Sequence, residues 1–158
     1  MKGKFIAIAA LTAATTLTPA ITLAVGDLTP APRAARADSD FEAGRAAIKD
    51  QKWGEAIGYF NKVAARDPQN AGAQNWLGYA NRKSGNLDLA FKHYNEALRL
   101  DPNHRGAHEY IGEAYLMTGD VQKAKEHLTA LDRICRFGCE ERNELSKAIA
   151  EYERMSMK

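Results

Sequence analysis

The chain has 158 residues, 22 Lys and Arg against 20 Asp and Glu, a formal net charge of +2 and 45% hydrophobic residues. Its basic excess sits at the N-terminus: without residues 1–37, which hold four of the bases and one of the acids, 18 basic and 19 acidic side chains remain. That balance offers no basic stripe for nucleic acid, and the 121 residues left suit one domain with a modest core.

Lys2 and Lys4 precede an uncharged apolar run from Phe5 to Val25, and Ala35-Arg36-Ala37 follows before the polar Asp38-Ser39-Asp40. A positive end, an apolar middle and a small-x-small exit predict an export signal cleaved near Ala37, hence a periplasmic or secreted protein. The rival is an uncleaved segment anchored in the inner membrane, since about 20 uncharged residues span a bilayer. Five threonines between Thr12 and Thr22, together with Pro19, weaken it as a span. Membrane contact is expected only if the segment stays uncleaved.

After the signal, local grammar predicts seven helices. The first runs from about Ser39 to Lys49, with Asp38 or Ser39 as N-cap, and the second from Trp53 to Arg66. Asp67-Pro68 and Asp101-Pro102 close helices because proline disfavours helical geometry in the residue before it. Helices are expected at 69–83 and 87–100 around a Ser84-Gly85-Asn86 turn, and at 104–117 and 121–134 around Thr118-Gly119-Asp120. A seventh, 140–153, places Leu145, Ala148, Ile149 and Tyr152 on one face and charge on the other, as a lid over an exposed apolar flank would.

The two Asp-Pro pairs lie 34 residues apart, and columns recur at that offset. Gly44, Gly78 and Gly112 align, as do Ala46, Ala80 and Ala114, then Trp53, Leu87 and Val121, Ala56, Ala90 and Ala124, and finally Phe60, Tyr94 and Leu128. Small columns let two antiparallel helices approach, and large ones fill the space beside them. Each period, 37–70, 71–104 and 105–138, is therefore a helical hairpin, followed by a capping helix and tail at 139–158.

Leu77-Gly78, Gly85, Ala90, Tyr94, Ala97 and Pro102 in the middle period carry the resemblance to the tetratricopeptide repeat family. The first period has Gln51 in place of the turn glycine, and the third has Leu131 and Arg136 in place of the alanine and the proline. The resemblance covers about residues 38–138. It implies an all-α, right-handed superhelix of three hairpins whose A helices line a concave groove. Columns facing the groove in that family hold Phe41, Arg45 and Lys49, then Asn75, Trp76, Tyr79, Arg82 and Lys83, then Glu109, Tyr110, Glu113, Leu116 and Met117. Of these, Arg45, Tyr79 and Arg82 are expected to be exposed, because a charged or polar-tipped group has no evident internal partner. Trp76 and Tyr110 are equally readable as packing between repeats. Chaperone-binding members hold a C-terminal carboxylate in columns that here carry Phe41, Arg45, Tyr79, Gly106 and Tyr110, so that clamp is absent.

Cys135 and Cys139 lie between the third hairpin and the lid helix. In an oxidising compartment an even pair is most simply a disulfide, with Gly138 allowing the turn. Two rivals stay open: soft-metal handling, for copper(I), and thiol redox chemistry. His104 and His108 share a helical face at metal-ligand spacing but lack a third ligand, so they are read as solvated, and His93 and His127 as outer-surface spacers. No serine lies in a nucleophile elbow and no glycine loop cradles phosphate, so no enzyme and no cofactor are expected. The function that remains is non-enzymatic capture of a protein or peptide segment by aromatic anchors, with Arg45, Arg82 and Lys83 selecting acidic groups.

Overall fold

The computed structural model describes residues 33–157, with side chains from Ser39 onward, and the expected export segment up to residue 32 lies outside them. Seven helices follow in order: α1 Arg33–Lys49, α2 Trp53–Arg66, α3 Ala71–Lys83, α4 Leu87–Leu100, α5 Arg105–Met117, α6 Val121–Ile134 and α7 Glu140–Ser156. Among the described residues there is no strand, and no helix is long and apolar enough to cross a membrane.

Boundaries are set by the residues that the pattern singled out. Asp67 and Asp101 leave helical geometry, at φ −134° and −135°, as a residue preceding proline must. The side chains of Asn70, His104 and Asp120 accept hydrogen bonds from the backbone N–H of Ala73, Ala107 and Lys123, satisfying donors that the first turn of a helix leaves open. Three starts differ from expectation. α3 begins at Ala71 rather than Gln69, with Asn70 as its cap, His104 caps α5 instead of opening it, and α1 begins at Arg33, so Asp38 and Ser39 lie inside it. Arg33-Ala-Ala-Arg-Ala37 is rich in strong helix formers, and that preference outweighs the capping tendency of the two polar residues.

The A-to-B turn is built identically three times. The N–H of Lys52, Asn86 and Asp120 each reaches back to the carbonyl of Ala47, Asn81 and Tyr115, a helix-ending bond that requires a left-handed residue just before it. Gly85 and Gly119 supply that residue at φ 83° and 84°, but in the first repeat Gln51 sits at φ 58°. A side chain there is strained by about 1 kcal/mol. Gln51→Gly is expected to raise the unfolding free energy by about that amount without touching any contact, read as a higher urea midpoint at unchanged slope.

Packing follows the small and large columns. A Cβ on Gly44 would lie 2.7 Å from the Phe60 ring, and one on Gly78 would lie 2.5 Å from Tyr94, so each A helix rests directly on a ring of its partner. The third repeat departs from its column: the atoms nearest Gly112 belong to Leu145 of α7, and Leu128 is only half-buried. A leucine is shorter than a ring, and the place it leaves is filled from the capping helix. Leu145 and Ile149 complete the last core with Ala124 and Leu131. Cys135 and Cys139, at the end of α6 and the start of α7, are joined by a disulfide with 5.7 Å between their Cα atoms. So short a closed loop contributes only about 2 kcal/mol by loop entropy. The bond's effect is to fix how α7 leaves the third hairpin.

Candidate functional site

Aromatic side chains of the A helices α3 and α5, with Phe60 of α2, form a continuous ladder. Trp76 stacks on Phe60 at 6.1 Å and meets Tyr79 edge-on at 5.6 Å, while Tyr110 lies 4.8 Å from Tyr79 and 6.3 Å from Trp76. Trp76, Tyr79 and Tyr110 are all half-buried, so each packs on its neighbours and keeps part of its surface open to solvent. Such rings combine large contact area with few rotors, which suits them to a recognition surface.

Arg82 is where the structure overturns an expectation. It is 7% exposed and fully engaged: a terminal nitrogen lies 2.6 Å from Glu113, Nε donates to the Tyr94 hydroxyl at 3.3 Å, and the guanidinium covers the rings of Tyr79 and Tyr110 at 5.4 and 5.7 Å. It ties α3 to α4 and α5 and is no free selector of acidic groups. Asn75 is likewise buried, at 4%, and its Oδ1 has no hydrogen-bond partner among the described residues. Its amide nitrogen lies beside the first turn of α5, 3.4 Å from where a Cβ on Gly106 would be.

The remaining predicted residues lie on the open side. Arg45 pairs only with exposed Glu42, at 3.4 Å, Lys49 is exposed, and Lys83 stands 5.5 Å over the Tyr79 ring. With Ile48, Ala46 and Trp76, three of these line an open pocket of about 410 Å³: Glu42, Arg45 and Lys49. On the α5 side Glu109 and Glu113 are half-buried, Leu116 is half-buried and Met117 is 56% exposed. Phe41 packs edge-on against Phe60.

Sequence reasoning missed the contribution of α7, which it read only as a lid. Glu141 and Glu144, spaced three apart in its first turns, face Glu109. Burial first, then Glu113, Glu141 and Glu144, push the Glu109 carboxyl up to about 8, with Arg82 pulling the other way. A carboxyl raised above its unfolded value of 4.5 costs nothing below that pH, and its penalty grows as pH rises from there and levels off above about 8. Glu109→Gln is therefore expected to leave the melting temperature at pH 4 unchanged and to stabilise the protein at pH 9. The gain is about 1–2 kcal/mol, discounted because the group is only half-buried.

The histidines are not where the sequence suggested. His104 caps α5, and His108 is 9% exposed, so neither is a solvated surface group. His93 and His127 turn inward from the B helices, His93 to Gln74 at 2.8 Å and His127 to His108 at 2.9 Å. Nε2 of His108 lies 3.0 Å from the Pro102 carbonyl, which can only accept, so that nitrogen carries a proton and one more is shared between the two Nδ1 atoms. Burial, then His108, pushes His127 down to about 4. Among the described residues no group of three or more His, Cys, Asp or Glu is placed to hold a metal ion.

Comparison with known proteins agrees with this geometry. Sequence models of the tetratricopeptide repeat match residues 41–105 and 81–134. The chain belongs to the tetratricopeptide repeat family. A sequence search of curated proteins found no match. Among solved structures, the TPR2B domain of yeast Sti1 in its pHsp70 complex superimposes with a TM-score of 0.70 at 18% identity, covering 77% of this chain and 98% of that one. The first TPR of Spaghetti (RPAP3), bound to the HSP90 peptide SRMEEVD, gives 0.66 at 23% identity, with 76% and 94% covered. The Sgt2 TPR domain from Aspergillus fumigatus gives 0.67 at 20%, with 77% and 79% covered. At these identities the likeness shows the fold: an all-α tetratricopeptide superhelix.

Proposed function

We propose that this tetratricopeptide repeat protein is a non-enzymatic interaction module that holds a peptide or protein segment against its A helices, in a periplasmic or secreted setting. The observation that carries the reading is the ladder of Trp76, Tyr79 and Tyr110, half-buried and flanked by Arg45, Lys49 and Lys83 on the A-helix side. One of the solved relatives is named in a pHsp70 complex and another with a bound HSP90 peptide, which supports a segment-binding groove. The guest here differs from those peptides, because the carboxylate-holding columns carry Phe41, Arg45, Tyr79, Gly106 and Tyr110. Acid selection, first assigned to Arg45, Arg82 and Lys83, falls to Arg45, Lys49 and Lys83, since Arg82 is engaged by Glu113. The thiolates that a metal-handling role would need are joined in the Cys135–Cys139 disulfide.

The test is selection from a random dodecapeptide library on the immobilised protein. Recovered peptides are expected to lose at least tenfold in affinity on Tyr79→Ala, which removes a half-exposed ring. Equal affinity for both proteins would remove the groove from consideration. Export is tested separately by N-terminal sequencing of protein from the cell envelope, where a start at Asp38 is expected and an intact Met1 would refute it.

A further inference from the structure

The charges along the A-helix face divide it in two. Toward α1 and α3, Lys49 and Lys83 have no carboxylate partner among the described residues, and Arg45 meets only an exposed glutamate of its own helix. Toward α5 and α7 the sign reverses. Glu113, Glu141 and Glu144 all act on Glu109, and only two cations answer them: Arg82 on Glu113, and Arg105 at 3.6 Å from Glu141. Glu109 and Glu144 have no ion-pair partner among the described residues. Carboxyls gathered without counter-ions on a half-buried wall favour the protonated form of Glu109, and a cationic guest would recover that cost as it draws out the carboxylate.

Resting on the groove reading above, we propose that the guest is a segment of opposite charges: a lysine or arginine against Glu109 and Glu144, an aspartate or glutamate against Lys49 and Lys83, and apolar residues between them on Trp76 and Tyr79. The spacing follows from the fold. Packed helix axes lie about 8–10 Å apart, so α1 to α5 is about 20 Å, and an extended chain at about 3.3 Å per residue covers that in roughly six residues. Charge order, more than apolar content, then sets which way the segment lies.

The dodecapeptides recovered above are sequenced for charge pattern, and the best binder is measured against two double variants, Glu109→Gln/Glu144→Gln and Lys49→Gln/Lys83→Gln, after circular dichroism confirms their fold. Recovered peptides are expected to carry a basic and an acidic residue about six apart. Each double variant should weaken binding at least tenfold at low salt, and the loss should shrink as salt rises. Changing the peptide's basic residue to glutamate should abolish binding, and Glu109→Lys/Glu144→Lys should restore it. Peptides recovered without charge bias, or bound equally by both double variants, would overturn the two-charge guest while leaving the groove standing. Recovery of no peptide overturns both. Self-association of the protein that Lys49→Glu abolishes would assign the face to a second copy of the chain instead.

Discussion

Arg82→Met is expected to lower the unfolding free energy by about 3 kcal/mol, although the change keeps most of the side chain's apolar bulk. The guanidinium is the buried centre of a four-part contact: Glu113 at 2.6 Å, the Tyr94 hydroxyl at 3.3 Å, and the faces of Tyr79 and Tyr110. Removing one partner of a buried pair typically costs about 3–5 kcal/mol, because the other charge is left behind without compensation. Here the orphan is Glu113, which would then stand beside Glu109 with no cation between them. The decisive control is Arg82→Met/Glu113→Gln. If the cost lies in the stranded carboxylate, the double variant should recover more than half of the loss, since replacing both partners is often nearly neutral. Urea unfolding of the four proteins closes this cycle. Additive losses would mean that Arg82 acts by packing alone.

Gly78→Ala is expected to cost about 2–3 kcal/mol, an unusual penalty for adding one methyl to a helix. Alanine is the better helix former by about 1 kcal/mol, so the sign must come from packing. The new Cβ would lie 2.5 Å from Cδ1 and Cε1 of Tyr94 and 2.9 Å from Cγ. That ring is fully buried, and its hydroxyl is tethered to Arg82, so it has nowhere to retreat. Overpacking of this kind costs about 1–3 kcal/mol, and disturbance of the Arg82 contacts adds to it. Gly58→Ala is the matched control: it lies inside α2 with nothing within 4 Å of its Cβ position. It should stabilise by about 1 kcal/mol, so the two alanine variants should move the melting temperature in opposite directions, by roughly 10 °C down and 4 °C up.

These two residues mark where the sequence could and could not be read. Gly78 was legible, because a small residue recurring at a fixed period beside recurring large ones has one simple spatial meaning, close approach of two helices. Helix ends were legible for a related reason: the residue before Pro68 or Pro102 and the residue before each turn are held by local sterics that no distant contact alters. Arg82 was not. A charged side chain on an A helix reads as solvent-facing until its partner is known, and Glu113 belongs to the next repeat. His127 was misread for the same reason, yet a signal was present. His93 with Gln74, and His127 with His108, are equivalent positions of successive repeats, each pair separated by 19. Two polar columns at matching offsets on facing helices are better read as partners than as spacers. The start of α1 failed differently: capping residues lost to the helix preference of the alanines before them.

The contact between Leu145 and Gly112 bears on how the chain reaches this state. The first two hairpins carry their own ring for their own glycine, so each can consolidate as soon as it exists. The third borrows its wedge from α7, which is synthesised after it. Maturation of that repeat must therefore wait for α7, and premature termination anywhere upstream of Leu145 would leave a frayed terminus with greasy surface on display.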